Sequence, residues 1–122
     1  MGKSQRKGAD FEQMCADYIT KRTGGEVIRK RLHGNKDEGD LFGVKFRGKR
    51  VTVECKDQAK MALSQWVDEA ETERGNDDGV YGIVIHKRKG RGAKRFGDTY
   101  VTMTLDTFLA MSVGGFDLLE KI

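Results

Sequence analysis

The eighteen residues from Gly39 to Lys56, GDLFGVKFRGKRVTVECK, read as a β-hairpin. Leu41 to Phe46 is rich in β-formers, Arg47-Gly48-Lys49 supplies the turn, and Arg50 to Lys56 alternates strictly. In that second strand Val51, Val53 and Cys55 share one face, while Thr52, Glu54 and Lys56 share the other. Pairing about Gly48 sets Asp40 opposite Lys56 or its neighbour, with Glu54 one pleat away. Directly opposed residues lie roughly 5 Å apart and diagonal ones about 7–8 Å. Two carboxylates and an ammonium therefore converge at the open end of the hairpin.

Outward from the hairpin, the chain alternates between helix and strand patterns. From about Ala9 to Thr20, Phe11, Met14, Cys15, Tyr18 and Ile19 fall on one helical face, and Gly24-Gly25 ends the segment. Glu26 to Arg31 makes a short strand around Val27 and Ile28, followed by a polar loop from Leu32 to Gly39. Beyond the hairpin, Leu63 to Arg74 carries Leu63, Trp66, Val67 and Ala70 at helical spacing, with Ser64 as the expected cap. Gly75 to Gly79 is a turn, and the run within Val80 to His86 has the composition of a central strand. Lys87 to Gly97 is a basic, glycine-punctuated loop, Asp98 to Thr104 a further strand, and Leu105 to Val113 a closing helix.

This order predicts an α/β fold, a mixed central β-sheet flanked by helices, in a single domain of 122 residues. No stretch reaches the roughly 20 apolar residues of a membrane span, and no apolar run follows the basic N-terminus as in a signal peptide. Residues 1–8 are expected to form a short basic arm, and the compartment to be the cytoplasm of a prokaryotic cell or a phage-infected host. Cys15 and Cys55 both fall on apolar faces, which fits buried thiols rather than a disulfide framework.

Clustered carboxylates beside a lysine suit a hard divalent cation. Magnesium is usually held by one or two carboxylates together with waters and substrate phosphate. When bound it polarises a phosphodiester and acidifies a water. Lys56 adds a compact positive donor for the attacking water or the phosphate oxygens. By itself a Glu-x-Lys pair on an exposed strand is common, and such an ion pair is worth under about 1 kcal/mol. Asp40 at hairpin distance is what gives the pair weight.

Gly39-Asp40, thirteen intervening residues and then Glu54-Cys55-Lys56 resemble the PD-(D/E)xK nuclease signature. Lys7-Gly8-Ala9-Asp10-Phe11-Glu12 is similar to the opening helix of the archaeal-type Holliday junction resolvases, in which a helix-borne glutamate completes the metal site. The resemblance spans about Lys7 to Tyr100 and implies a restriction-endonuclease-like α/β/α core. It makes Glu12, Asp40, Glu54 and Lys56 catalytic, with Asp40 and Glu54 direct metal ligands. The Cys55 backbone carbonyl is then a possible third ligand, Glu12 an indirect one, and Gln65 resembles a helix glutamine near the site. Gly rather than Pro precedes Asp40. Asp37 and Glu38 compete for the first acidic role, and Asp40 is preferred because it abuts the strand.

Cations group in three places: Lys3, Arg6 and Lys7; Arg29, Lys30 and Arg31; and Lys87, Arg88, Lys89, Arg91, Lys94 and Arg95. Such clusters grip phosphates without reading sequence, although a solvated loop has the same composition. Cys15, His33, Cys55 and His86 match no zinc-ligand spacing. His33 is read as a surface residue or a substrate contact, and Trp66 as a core anchor rather than a base-stacking platform, with a place at a subunit interface left open.

These features together lead to the expectation of a Mg²⁺-dependent endodeoxyribonuclease (Mn²⁺ substituting) that acts on branched or duplex DNA without a membrane. Following the resemblance, its substrate is a four-way junction and its working form a homodimer, since paired nicks need two sites. The alternatives are a restriction- or repair-type nicking enzyme, an RNA nuclease, and a non-catalytic nucleic-acid-binding module of the same fold.

Overall fold

The computed structural model describes residues 3–30 and 37–122, with side chains from residue 6 onward. The elements are α1 (Lys3–Thr23), β1 (Ile28–Arg29), β2 (Leu41–Phe42), β3 (Lys45–Phe46), β4 (Lys49–Lys56), α2 (Leu63–Asp77), β5 (Tyr81–His86), β6 (Tyr100–Thr102) and α3 (Leu105–Val113). Short 3₁₀ turns lie at Ala93–Asp98 and Phe116–Leu118. The sheet runs β1-β2-β4-β5-β6, with β3 paired to β4 beside β2. β4 and β5 are parallel, joined by the α2 crossover, and the other pairings are antiparallel. The α/β class with a mixed sheet is thus as the sequence pattern predicts.

Each face of the sheet has its own apolar layer. Phe11, Cys15 and Ala16 of α1 and Ala110 of α3 pack on Val51, Val53 and Cys55 of β4 and Tyr81, Ile83 and Ile85 of β5. Trp66 and Ala70 of α2 cover Val84 on the opposite face. The strand alternation read from the sequence holds, but its second face is no solvent face. Thr52 and Glu54 are buried beneath α2.

Several boundaries depart from expectation for identifiable reasons. The expected arm is part of α1: helical backbone begins at Lys3, because nothing between Lys3 and Ala9 breaks a helix and glycine at position 8 is tolerated at a cost of about 1 kcal/mol. α2 runs on to Asp77 and is capped at Ala62 without a side-chain bond, so Ser64 lies inside it. The strand expected over Asp98 to Thr104 shrinks to Tyr100–Thr102, and the loop before it winds into the 3₁₀ turn. α3 has the predicted bounds, and Thr104 caps it by accepting from the Thr107 amide.

The hairpin register is the correction that matters for function. Its turn is two residues, Arg47 and Gly48, both at positive φ (49° and 82°), so Phe46 pairs with Lys49 and Lys45 with Arg50. Farther out Leu41 pairs with Val53, so Phe42 and Gly43 together span what Thr52 spans alone on β4. This bulge needs glycine. Gly43 has φ of 105°, and a Cβ there would collide with the Glu26 carbonyl. The shift sets Asp40 against Glu54, not against Lys56.

Candidate active site and metal centre

Asp40 is bound to β4 at two points. Its amide donates to the Val53 carbonyl (2.8 Å), and its carboxylate accepts from the Cys55 amide (2.7 Å). These bonds bracket Glu54. Glu12 approaches from α1 next to the buried Phe11 and meets Arg29 of β1 (3.6 Å). A cleft of about 530 Å³ is lined by Glu12, Asp40, Glu54 and Lys56, with Cys55 between them and Lys7 and Asp57 at its margin. All four residues expected to be catalytic therefore share one cavity.

The electrostatics follow from crowding carboxylates in a half-dry space. Burial, with Glu54 and Glu12 beside it, pushes the Asp40 carboxyl up to about 9 despite the Cys55 amide, which opposes the rise. Glu12 is raised as well, by burial, with Arg29 moderating it. Lys56 goes the other way from a simple buried lysine. Burial favours its neutral form, but Glu69 at 2.9 Å and Glu54 at 3.5 Å outweigh that and hold its pKa above the usual value. Lys56 is therefore a permanent cation near neutral pH, suited to donating to an anion and unsuited to acting as a base.

The acidic row continues past β4 on the α2 side. Asp37, Glu54 and Glu73 each place a carboxylate oxygen within 4.8 Å of the others. Burial, Glu54 and Asp37 push Glu73 up to about 11. Asp37, the rival for the first acidic role, thus belongs to this second group, whereas Asp40 occupies the cleft with Glu12. Glu38 contributes its carbonyl to Lys30. Glu73 and Glu69 were not singled out from the sequence. The available signal was Trp66, Ala70, Glu73 and Asp77, a helical stripe that continues into two carboxylates. Gln65 donates to Glu69 (2.9 Å), which in turn holds Lys56, so it is linked to the site through Glu69.

The cations divide into free and engaged groups. Arg6, Lys7 and Lys87 line a groove beside the cleft, where Lys7 and Lys87 meet Asp57 at 3.4 and 3.7 Å. This brings the start of α1 and the loop after β5 together at the margin of the acidic site. Lys89 and Lys94 are exposed. Arg88 lies 5.0 Å over the Tyr100 ring, and Arg91 and Arg95 both hold Asp98. Arg29 serves Glu12, and Lys30 turns inward to Asp77 at 2.8 Å. The Lys3 side chain, Arg31 and His33 lie outside the described residues.

The remaining polar candidates are structural. Cys15 and Cys55 are both buried and unbridged, and a contact from Cys15 together with burial raises the Cys55 thiol well above its usual range. His86, which heads the basic run in sequence, is a core residue. It is 4% exposed, meets Thr102 Oγ1 at 2.7 Å, and stacks at a tilt against Trp66. Trp66 is buried as expected of a core anchor.

No helix among the described residues is long and apolar enough to cross a membrane. Comparison with family models, curated proteins and solved structures finds no match for this chain.

Proposed function

We propose that the protein is a Mg²⁺-dependent DNA endonuclease that cuts four-way junctions. The observation that carries this reading is the convergence of Glu12, Asp40, Glu54 and the protonated Lys56 in one cleft beside Arg6, Lys7 and Lys87. The carboxylate set fits a hard cation. Asp40 is oriented by the Cys55 amide, and one buried Glu54 oxygen has no hydrogen-bond partner among the described residues. Once bound, Mg²⁺ supplies a polarised phosphate and an acidified water.

The chain's own residues do the rest. Asp40 and Glu54 would hold the cation, and Glu12, kept in place by Arg29, would orient its water shell. Lys56, steadied by Glu69, donates to the attacking water or to the phosphate oxygen that gains charge. Arg6, Lys7 and Lys87 offset the repulsion an acidic cleft exerts on a nucleic-acid backbone.

Junction selectivity rests on the resemblance to the archaeal-type resolvases, as does pairing into a homodimer. The outer face of α3 supports pairing, because Leu105, Phe108, Leu109 and Val113 are all exposed along one stripe. The test compares a labelled four-way junction with a linear duplex of the same sequence, with Mg²⁺, with chelator, and with the Glu54→Ala protein. Metal-dependent paired nicks on the junction alone, lost in the variant, are expected. Equal cutting of both substrates would leave a nuclease without junction selectivity. Binding without cutting in any metal would leave a DNA-binding module.

A further inference from the structure

The α2 side of β4 holds a second group of oxygen donors, of which the proposed cleavage reaction uses only Glu54. Asp37, Glu54 and Glu73 come from the segment before β2, from β4 and from α2, and their nearest oxygens lie within 4.8 Å of one another. Oxygens bound to one ion at about 2.1–2.4 Å lie no more than about 4.2–4.8 Å apart. The spread therefore fits a single divalent cation.

Clustering alone is common among acidic side chains, but two of these three are deeply buried. Glu54 is 6% exposed and Glu73 is 4% exposed. Each has one carboxylate oxygen that is sealed from solvent and has no hydrogen-bond partner among the described residues. A buried acceptor without a donor costs about 1–3 kcal/mol, and more when charged. Two such acceptors on members of one cluster are an unmet demand for positive charge or a proton.

Lys56 does not meet that demand, since its ammonium is shared between the other Glu54 oxygen and Glu69. The way in is open. Asp37, Glu54 and Glu73 line a groove of about 770 Å³ together with Lys56, Asp68 and Glu69, so a hydrated cation can reach the site from solvent. Asp37 is steadied from α2 by Asn76, which donates to its carbonyl at 2.8 Å.

We propose that Asp37, Glu54 and Glu73 bind a second divalent cation of the hard, oxygen-preferring class, with Glu54 shared between it and the cleft. This goes beyond the proposed cleavage reaction and stands on cation binding alone, without DNA. Held on the far side of Glu54, the ion neutralises the inner carboxylates and sets the position of the one ligand the two sites have in common.

The test titrates Mn²⁺ into metal-free full-length protein, following free and bound ion by electron paramagnetic resonance. The wild type is compared with Glu73→Gln, Asp37→Asn and Asp40→Asn, and circular dichroism reports folding. Two ions per wild-type chain are expected, spin-coupled through their shared ligand. One uncoupled ion is expected in Glu73→Gln and in Asp37→Asn. Asp37→Asn, a change at an exposed residue, decides the matter if Glu73→Gln does not fold. Wild-type stoichiometry and coupling in both variants would overturn the proposal, as would a single wild-type ion lost only in Asp40→Asn. A single ion lost in Glu73→Gln and kept in Asp40→Asn would support this site and remove the metal from the proposed active cleft.

Discussion

Asp77 and Glu73 lie one turn apart on the same buried face of α2, yet they are opposite kinds of buried acid. Asp77 is saturated: Thr52 Oγ1 donates to it at 2.8 Å, Lys30 at 2.8 Å and Arg50 at 3.4 Å. Its charge ties α2 to β4 and to the end of β1. Glu73 meets other carboxylates instead and leaves an oxygen without a partner. A folded chain tolerates the first arrangement for stability. The second is costly and persists where a ligand relieves it.

Breaking the contrast at its functional end should have the largest effect. Glu54→Gln, which touches both the cleft and the Glu73 group, should lower the proposed Mg²⁺-dependent junction cleavage by about 10³-fold. That is about 4 kcal/mol of transition-state stabilisation, measurable in single-turnover assays. Retained cleavage would place the chemistry elsewhere.

At the structural end, Asp77→Ala strands Thr52 and the half-buried Lys30. It should cost about 3–5 kcal/mol in urea unfolding, while the protein that remains folded still binds Mn²⁺. Glu73→Gln should leave the metal-free protein within about 1 kcal/mol of the wild type in chelator at neutral pH, because a carboxyl pushed up to about 11 is already uncharged there and an amide of nearly the same shape replaces it. If both substitutions destabilise alike, the two acids are not different in kind.

The smallest effect sharpens the contrast at the N-terminal end of the same helix face, where Trp66 covers His86. Burial lowers the His86 pKa from its usual 6.5. The stability this neutral ring contributes is complete above 6.5 and is lost as pH falls through the lower folded value. Thermal unfolding should therefore soften on acidification below 6.5 more in the wild type than in His86→Gln. Parallel pH curves would show that His86 carries no such linkage.

Much of this architecture was legible in local pattern. Apolar spacing predicted α1, α2 and α3, and strict alternation from Val51 to Lys56 predicted β4 with its two faces. Cys15, Cys55 and Trp66 read correctly as buried. The nearness of Asp40, Glu54 and Lys56 was anticipated because a hairpin converts sequence spacing directly into distance, and Glu12 was added only by the family resemblance of its helix motif. The register was not, since a two-residue turn and a one-residue bulge at Gly43 each move the pairing by one position without altering hydrophobic pattern. Glu73 escaped because a helix face was read from its apolar members alone.

By itself, then, the sequence determined the element order, the two apolar layers and the nearness of Asp40, Glu54 and Lys56, while Glu12 joined them only through the family resemblance. All three depend on periodicity and on contacts between neighbours in the chain. Tertiary structure alone decided which acids found cations and which found one another. Lys30 meets Asp77 across 47 positions of chain, and Asp37 meets Glu73 only because α2 packs across β4 beside it. The energy of a buried charge depends on everything within a few ångströms of it. That neighbourhood is set by how the layers close.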